Sequence, residues 1–205
     1  MTFILIFITV VISASCFRNP ALFEKLALIP YRVTHHREGY RILSHVFVHG
    51  DYVHLLVNMF VLLSFGGYLE RILKAYQQMG EITNSYLTYI LLYFGGAIAA
   101  SVHDLITHRD DPHYSSIGAS GAVAAVIFTT IFFSPWNKLY LFGILPIPGI
   151  VFGVLYVLYS QYMGRRGGDH INHYAHLYGA LFGFIFPLLM DPHSITVFWN
   201  NLTHF

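Results

Sequence analysis

Long apolar runs, separated by shorter polar stretches, dominate the pattern of hydrophobic and polar positions along this chain. Six runs lack Lys, Arg, Asp and Glu, and they cover residues 1–17, 52–69, 82–102, 117–137, 139–164 and 174–190. A bilayer-spanning helix needs about 20 apolar residues, within a range of roughly 17 to 25. The pattern therefore predicts an all-α membrane protein that folds as a bundle of six transmembrane helices.

Two of these runs predict local structure in more detail. The fourth holds only 15 residues from Ser120 to Ser134. That is about 22 Å of helix, shorter than a hydrocarbon core of ~30 Å. We therefore expect Ser120 to lie below the membrane surface, at the end of an irregular loop that either lines a water-filled cavity or is buried in protein. In the fifth run, Pro148 predicts the first turn of a helix, and residues 139–147 are expected to form an irregular lead-in.

Composition agrees with a membrane protein of one domain over residues 1–205. Only 10% of the 205 residues are charged, against roughly 25% in a typical soluble domain. The net charge of +1 gives no indication of a nucleic-acid partner. The single cysteine, Cys16, cannot form an intramolecular disulfide. The first run lacks the basic residues that open a signal peptide and is expected to stay as an uncleaved helix, with a signal peptide as the alternative.

The charged residues leave the orientation open. With six helices, the loops opposite the termini hold eight Lys and Arg residues, and the loops on the terminal side hold three. Taken alone, the positive-inside rule places the termini outside. Five of the eight belong to residues 18–51, whose mixture of basic and apolar residues suits an amphipathic element resting at the interface. Such a segment does not have to follow the rule.

Two polar residues inside apolar runs are candidates for chemistry, Ser120 in Gly118-Ala119-Ser120-Gly121 and His176 at the start of the sixth run. A serine that opens a helix lies beside free N–H groups that can stabilise an oxyanion. Gly179 and Gly183 form a small-residue face that lets another helix approach closely, which brings His176 to Ser120. The alternative interpretation is an N-cap serine in a packing face and an interfacial histidine.

Two further polar residues, His54 and Asn58, are four apart and share one face of the second predicted helix. Both can donate hydrogen bonds, as an oxyanion hole requires, although a polar pair that bonds across helices is the alternative. His45 and His49, with His54, raise the competing hypothesis of a metal site. The His-Glu-x-x-His motif of zinc proteases is absent, and no acidic residue lies inside an apolar run. Serine with histidine, as a dyad rather than a triad, is the favoured chemistry.

In this order, the motifs resemble the rhomboid family of intramembrane serine proteases. The family pattern has His and Asn four apart in the second helix, Gly-x-Ser-Gly opening the fourth, and Ala-His with Gly-x-x-x-Gly in the sixth. The chain also has Gly66-Gly67-Tyr68-Leu69-Glu70, which resembles the family's Gly-Gly-x-x-Glu. The resemblance implies Ser120 as nucleophile, His176 as general base, and His54, Asn58 and the Ser120 N–H as oxyanion hole, with Gly118 letting the preceding loop turn tightly.

The resemblance also implies a setting for this chemistry. The chain is expected to be a minimal six-helix form with a membrane-embedded first loop, in a bacterial inner (cell) membrane with both termini cytoplasmic. Its partners are expected to be transmembrane protein substrates and the bilayer, with no cofactor and no metal. Two positions depart from the family: Ala124 stands where some members have a tyrosine against the catalytic histidine, so Tyr178 or another aromatic is expected there, and the first loop has no Trp-Arg. A non-catalytic binder of transmembrane clients and a His-liganded membrane metal protein are the alternative functions.

Overall fold

The computed structural model describes residues 1–141, 144–168 and 171–203 of the chain, and these residues are mainly helical. The elements are α1 (Thr2–Arg18), α2 (Pro20–Leu26), α3 (Pro30–His36), α4 (Arg41–Ser44), a 3-10 turn (His45–Phe47), α5 (Tyr52–Gln78), α6 (Ser85–Thr107), α7 (Ser120–Phe133), β1 (Lys138–Leu141), β2 (Leu145–Pro148), α8 (Gly149–Arg166), α9 (His173–Met190) and α10 (Ser194–Thr203). Each predicted apolar run therefore contains one helix, α1 or one of α5 to α9.

Within the described residues, three helices are long and apolar enough to cross a membrane by length and composition: α5, α6 and α9. The helices α1 and α7 are apolar but shorter. That all six helices of the predicted bundle cross the bilayer stays a prediction.

The central helix of the fold is α7. Every residue from Gly121 to Phe133 is buried, and α7 packs against α5, α6, α8 and α9. A helix that is apolar on all sides is stable in this way, because no face of it has to meet water. The helix begins at Ser120 and has 14 residues, about 21 Å of rise. The predicted short helix that opens at the serine is confirmed.

The segment between α7 and α8 differs from the prediction. Strands β1 and β2 pair antiparallel, with Lys138 opposite Pro148 and Leu139 opposite Ile147. The prediction of an irregular lead-in over residues 139–147 is therefore wrong. Phe142 and Gly143 of that span lie outside the described residues. The prolines of β2 are compatible with the hairpin. Both strands of a two-stranded sheet are edge strands, where a missing backbone N–H is tolerated. As predicted, α8 begins directly after Pro148.

The predicted first loop, residues 18–51, is a folded unit built around Arg41. Its guanidinium is almost completely buried, and Nη1 donates to the carbonyl oxygens of Glu24 at 2.6 Å and Ala27 at 2.7 Å. Nε pairs with the Glu38 carboxylate. A buried charge needs such partners, so Arg41 fixes α2 and α4 to each other. That this loop is embedded in the membrane stays a prediction.

Candidate active site

Backbone hydrogen bonds from the first loop fix the position of the segment that precedes Ser120. Leu28 and Ser116 exchange two backbone hydrogen bonds, at 3.0 and 2.9 Å. Two residues further on, the N–H of Gly118 donates to the carbonyl oxygen of His45 at 3.1 Å. An irregular segment next to membrane helices must satisfy its backbone groups inside the protein. The first loop satisfies them here, and this fixes the path of the chain toward α7.

His49 links this path to α1. Ser13 donates its hydroxyl hydrogen to the carbonyl oxygen of Phe47 at 2.7 Å, and its Oγ lies 2.9 Å from His49 Nδ1. Because a hydroxyl has one hydrogen, Nδ1 must be the donor to Ser13. Nε2 is then free to accept from the N–H of Ala119 at 3.4 Å. Burial lowers the pKa of His49 to about 3, so the ring is neutral at physiological pH, as this tautomer requires.

Gly118 supports the sharp turn before the nucleophile candidate, as the resemblance implied. Its φ of +110° is a conformation that residues with a side chain rarely adopt. A Cβ atom at this position would also lie 2.8 Å from Cε1 and 2.9 Å from Nε2 of His54. The glycine is therefore needed for the backbone angle and for the approach of the His54 ring to the loop.

The two predicted hydrogen-bond donors lie on α5. Asp51 caps this helix by accepting from the N–H of His54 at 2.8 Å. The half-buried His54 ring packs edge-on against His49, with the centroids 4.8 Å apart. Asn58 is buried one turn further along, and its Nδ2 donates to the carbonyl oxygen of His54 at 2.9 Å. That bond uses one of the two amide hydrogens and fixes the side chain, which leaves the second hydrogen for another acceptor.

Close packing of α9 on α7 brings together the residues that flank Ser120 and His176. A Cβ atom at Gly179 would collide with the carbonyl oxygen of Gly121, and one at Gly121 would lie 3.2 Å from the carbonyl oxygen of Ala175. Further along, a Cβ at Gly183 would meet the backbone of Ala125. The predicted contact between the small-residue faces of these two helices is confirmed. The turn of α9 that carries His176 therefore lies against the first turn of α7.

We expect Gly179→Ala to destabilise the protein by about 1–3 kcal/mol, because the new methyl group meets backbone and the two helices must separate. Thermal unfolding in detergent measures this effect. The control is Gly67→Ala on α5, where a Cβ would meet nothing within 4 Å. That substitution should keep or raise stability, since alanine is the better helix former by about 1 kcal/mol. Equal melting temperatures for the two variants would contradict the close α7–α9 contact.

The aromatic neighbour of His176 comes from α8. The ring of Tyr156 lies nearly parallel to the His176 ring, at an interplanar angle of 20° and a centroid distance of 6.3 Å. Tyr178, named as the first candidate from the sequence, instead lies 6.3 Å from the ring of His103. An aromatic ring other than Tyr178 therefore lies near His176, and that Tyr156 takes the place of the tyrosine missing at Ala124 stays a prediction.

Sequence reasoning missed Asp104 and Asn172. Asn172 caps α9, because its Oδ1 accepts from the N–H of Ala175 at 3.0 Å. Its Nδ2 donates to Asp104 Oδ2 at 2.6 Å and to Ser116 Oγ at 3.1 Å. The partners are 68 and 56 residues away in the chain, so no local pattern predicts these bonds. Together they fix the start of the helix that carries His176.

A small cavity of about 10 Å³ adjoins Ser120, with polar groups of His45, Ser116 and Asn172 in its wall. This volume is about what one water molecule needs. The histidines near it are engaged in other bonds: His45 Nδ1 lies 3.1 Å from the carbonyl oxygen of Arg41, and both ring nitrogens of His49 are used. Across residues 1–141, 144–168 and 171–203, no three His, Cys, Asp or Glu side chains come together as metal ligands.

The chain matches known proteins over most of its length. Residues 36–192 match the model of the Rhomboid domain family. RHOMBOID-like protein 4 of Arabidopsis thaliana is 34% identical over 164 residues, which are 76% of this chain and 36% of that protein. RHOMBOID-like protein 12, mitochondrial, from the same plant, is 30% identical over 155 residues, 68% of this chain and 43% of that protein. The chain thus spans less than half the length of these two relatives.

Apolar helices long enough to span a bilayer and the Rhomboid domain match lead to the same conclusion about the class of protein. The chain is an integral membrane protein and belongs to the rhomboid family.

Proposed function

We propose that this chain is an intramembrane serine endopeptidase that cleaves transmembrane segments of other membrane proteins through a Ser120–His176 dyad. The observation that supports it most is the contact of α9 with the first turn of α7. A Cβ on Gly121, the chain neighbour of Ser120, would lie 3.2 Å from the carbonyl oxygen of Ala175, the chain neighbour of His176, and a Cβ on Gly179 would collide with the carbonyl oxygen of Gly121. Family membership agrees with this chemistry, and Ser120 opens a helix whose N–H groups are suited to a developing anion.

In the proposed acylation step, His176 takes the hydroxyl proton of Ser120 while Oγ attacks the scissile carbonyl carbon. The carbonyl oxygen becomes an oxyanion that accepts hydrogen bonds from the Ser120 N–H, from the His54 ring and from the free amide hydrogen of Asn58. The C–N bond then breaks, and protonated His176 gives its proton to the leaving amine. This leaves an acyl group on Ser120.

Hydrolysis of this ester repeats the steps with water as the nucleophile. His176 removes a proton from the water as the water oxygen attacks the acyl carbon. The bond from that carbon to Ser120 Oγ then breaks, and His176 returns the proton to Oγ, which releases the acid product and restores both residues. The polar cavity beside Ser120 is a suitable store for that water. No step requires a metal ion or a cofactor.

The proposed clients are single-span proteins that unwind near one end of their helix and present small residues at the cleaved bond. We retain the setting implied by the resemblance, a minimal six-helix form in a bacterial cell membrane with cytoplasmic termini. The relatives described above are plant proteins, and the name of one includes "mitochondrial". A mitochondrial membrane is therefore the alternative location.

The proposal is tested with the purified chain in liposomes together with a single-span model client. We expect a cut inside or next to the apolar segment, located by mass spectrometry of the products, and unchanged cleavage in the presence of a metal chelator. Loss of cleavage with the chelator would support the metal alternative. A client that binds but stays intact under all conditions, with no reaction of the protein toward a fluorophosphonate, would support the non-catalytic alternative.

Replacing Asn58 by alanine should lower turnover about 10²-fold, because removing one oxyanion donor typically costs ~3 kcal/mol of transition-state stabilisation. KM should change little, since the bond forms only in the transition state. The matched control is Asn84→Ala, which removes a helix cap at the opposite end of α6 from the site and should leave kcat unchanged. Unchanged turnover in Asn58→Ala would remove this residue from the proposed oxyanion hole.

A further inference from the structure

A second cavity lies beside the start of α9, and Asn172 separates it from the cavity at Ser120. It has a volume of about 220 Å³ and is enclosed by the ends of α6 and α8, the first turn of α9 and the loop before the serine. We call it the Asp104 cavity, since Asp104 is the acidic residue in its wall among the described residues. One water needs only about 10–15 Å³. The Asp104 cavity therefore has room for a whole side chain, directly next to the proposed catalytic site.

The carboxylate of Asp104 is half satisfied. Its side chain is 2% exposed, and Oδ2 accepts from Asn172 at 2.6 Å. Within the described part of the chain, Oδ1 is buried and has no hydrogen-bond partner. His103 Nδ1 lies 3.6 Å from Oδ1, too far for a hydrogen bond, and has no hydrogen-bond partner of its own among the described residues. The Tyr114 phenol also interacts with the Asp104 carboxylate. A buried carboxylate oxygen without a donor is unfavourable, so Oδ1 is an acceptor open to a donor from beyond the described residues.

The walls of the Asp104 cavity are aromatic. The rings of His108 and Tyr114 stack with their centroids 3.6 Å apart, and those of His103 and Tyr174 stack at 4.0 Å. Burial and the Asp104 carboxylate raise the pKa of Tyr114, so its phenol stays neutral. Aromatic faces around a carboxylate favour a cationic guest.

No Lys or Arg of the described residues supplies such a cation. Among residues 1–141, 144–168 and 171–203, no Lys or Arg forms an ion pair with Asp104. At the basic end of α8, which borders the cavity, Arg166 lies over the ring of Tyr162, 6.0 Å from its centroid. The other candidate partner of Oδ1 is a bridging water shared with His103, which would give no selectivity for charge.

We propose that the Asp104 cavity binds the lysine or arginine side chain of a client, at a position that flanks its transmembrane segment, and thereby selects basic residues near the cleaved bond. Basic residues commonly anchor transmembrane helices at the membrane interface, which makes them available at this level. Because Asn172 lines both cavities, a client strand at Ser120 passes next to the Asp104 cavity. The inference rests on the proposed function for its client, but its binding step is measured separately.

The first experiment scans one lysine, or one glutamine, along a single-span client over about six positions on either side of the bond, roughly 20 Å of extended chain in each direction. At one position, lysine and arginine should raise kcat/KM about tenfold or more over glutamine. In Asp104→Asn this ratio should fall to near one. Asparagine keeps an oxygen for Asn172 and removes the charge. The ratio compares two clients of the same protein. A general loss of activity, caused by disturbance of the α9 cap at Asn172, lowers both values equally and leaves the ratio unchanged.

The matched control is Asp110→Asn, which neutralises an exposed carboxylate that pairs with His35 and Arg109. It should keep the preference of the unmodified protein. A basic preference that survives in Asp104→Asn, or that disappears equally in Asp110→Asn, would overturn the assignment. So would the absence of any position at which a basic residue is preferred.

Binding is measured without chemistry in Ser120→Ala, by fluorescence anisotropy of the same clients. We expect tighter binding of the lysine client than of the glutamine client, and loss of this difference when Asp104→Asn is added. If Asp104→Asn does not fold, the test uses n-butylguanidinium as a competitor for the Asp104 cavity. This cation should weaken binding of the lysine client only. If binding prefers the lysine client but the unmodified protein cleaves no client, the result would support binding of basic side chains in the Asp104 cavity and contradict the proposed endopeptidase activity. Equal binding of both clients, or equal competition, would overturn the cavity.

Discussion

Replacing Ser120 by alanine is expected to abolish cleavage of a transmembrane client, a loss of kcat on the order of 10⁶-fold. The methyl group of alanine has no oxygen to attack the carbonyl carbon, and nothing else in the proposed mechanism forms the acyl intermediate. Labelling of the detergent-purified protein by a fluorescent fluorophosphonate should disappear in the same variant. That measurement does not depend on knowing the client.

Ser115→Ala is the matched control for Ser120→Ala. Ser115 is an exposed serine on the loop that leads into α7, so its variant should keep both labelling and cleavage. Labelling that remains in Ser120→Ala would assign the nucleophile to another residue. Labelling that is absent from the unmodified protein as well, with client binding intact, would favour the non-catalytic alternative.

Replacing His176 by alanine should lower kcat by a similar factor, on the order of 10⁶, because the hydroxyl of Ser120 keeps its proton at neutral pH. The two residues are proposed to act as one unit, so the double variant should lose no more than either single variant. A loss in the double variant that equals the product of the single losses would contradict a dyad. Kinetics with one client and all three variants supply this comparison.

The control for the base is His193→Ala, since the side chain of His193 is 87% exposed and lies at the far end of α9 from His176. Cleavage should be unchanged in this variant. A large loss in His176→Ala accompanied by an equal loss in His193→Ala would indicate general unfolding instead of removal of a base.

Much of the fold could be predicted because the bilayer restricts what a chain can do. An uncharged run of sufficient length is expected to contain a helix, and α1 and α5 to α9 lie within the six runs or overlap them. The start of α7 at Ser120 agrees with the prediction that Gly118-Ala119-Ser120-Gly121 opens a helix in the fourth run. The contact of α7 with α9 was predictable since Gly179 and Gly183 are spaced one helical turn apart, and small residues at that spacing have a known use in membranes.

Other parts could not be predicted, for two physical reasons. Hydropathy does not separate an apolar hairpin from the lead-in of a helix, so β1 and β2 were not expected. Polar contacts between distant parts of the chain leave no local pattern, and the bonds of Asn172 with Asp104 and of Ser13 with His49 join residues 68 and 36 positions apart. Tyr156 was missed for the same reason, because it approaches His176 from a different helix.

The hydrogen bond that Ala119 donates to His49 makes the shape of the loop before Ser120 depend on the packing of α1. The loop before Ser120 takes its shape partly from a ring that is itself held by Ser13 of α1. A newly inserted chain whose N-terminal helix has not yet packed therefore lacks part of the support for its nucleophile. A substitution in α1 that breaks the Ser13–His49 bond is therefore expected to weaken the proposed catalysis without altering any residue that touches the client.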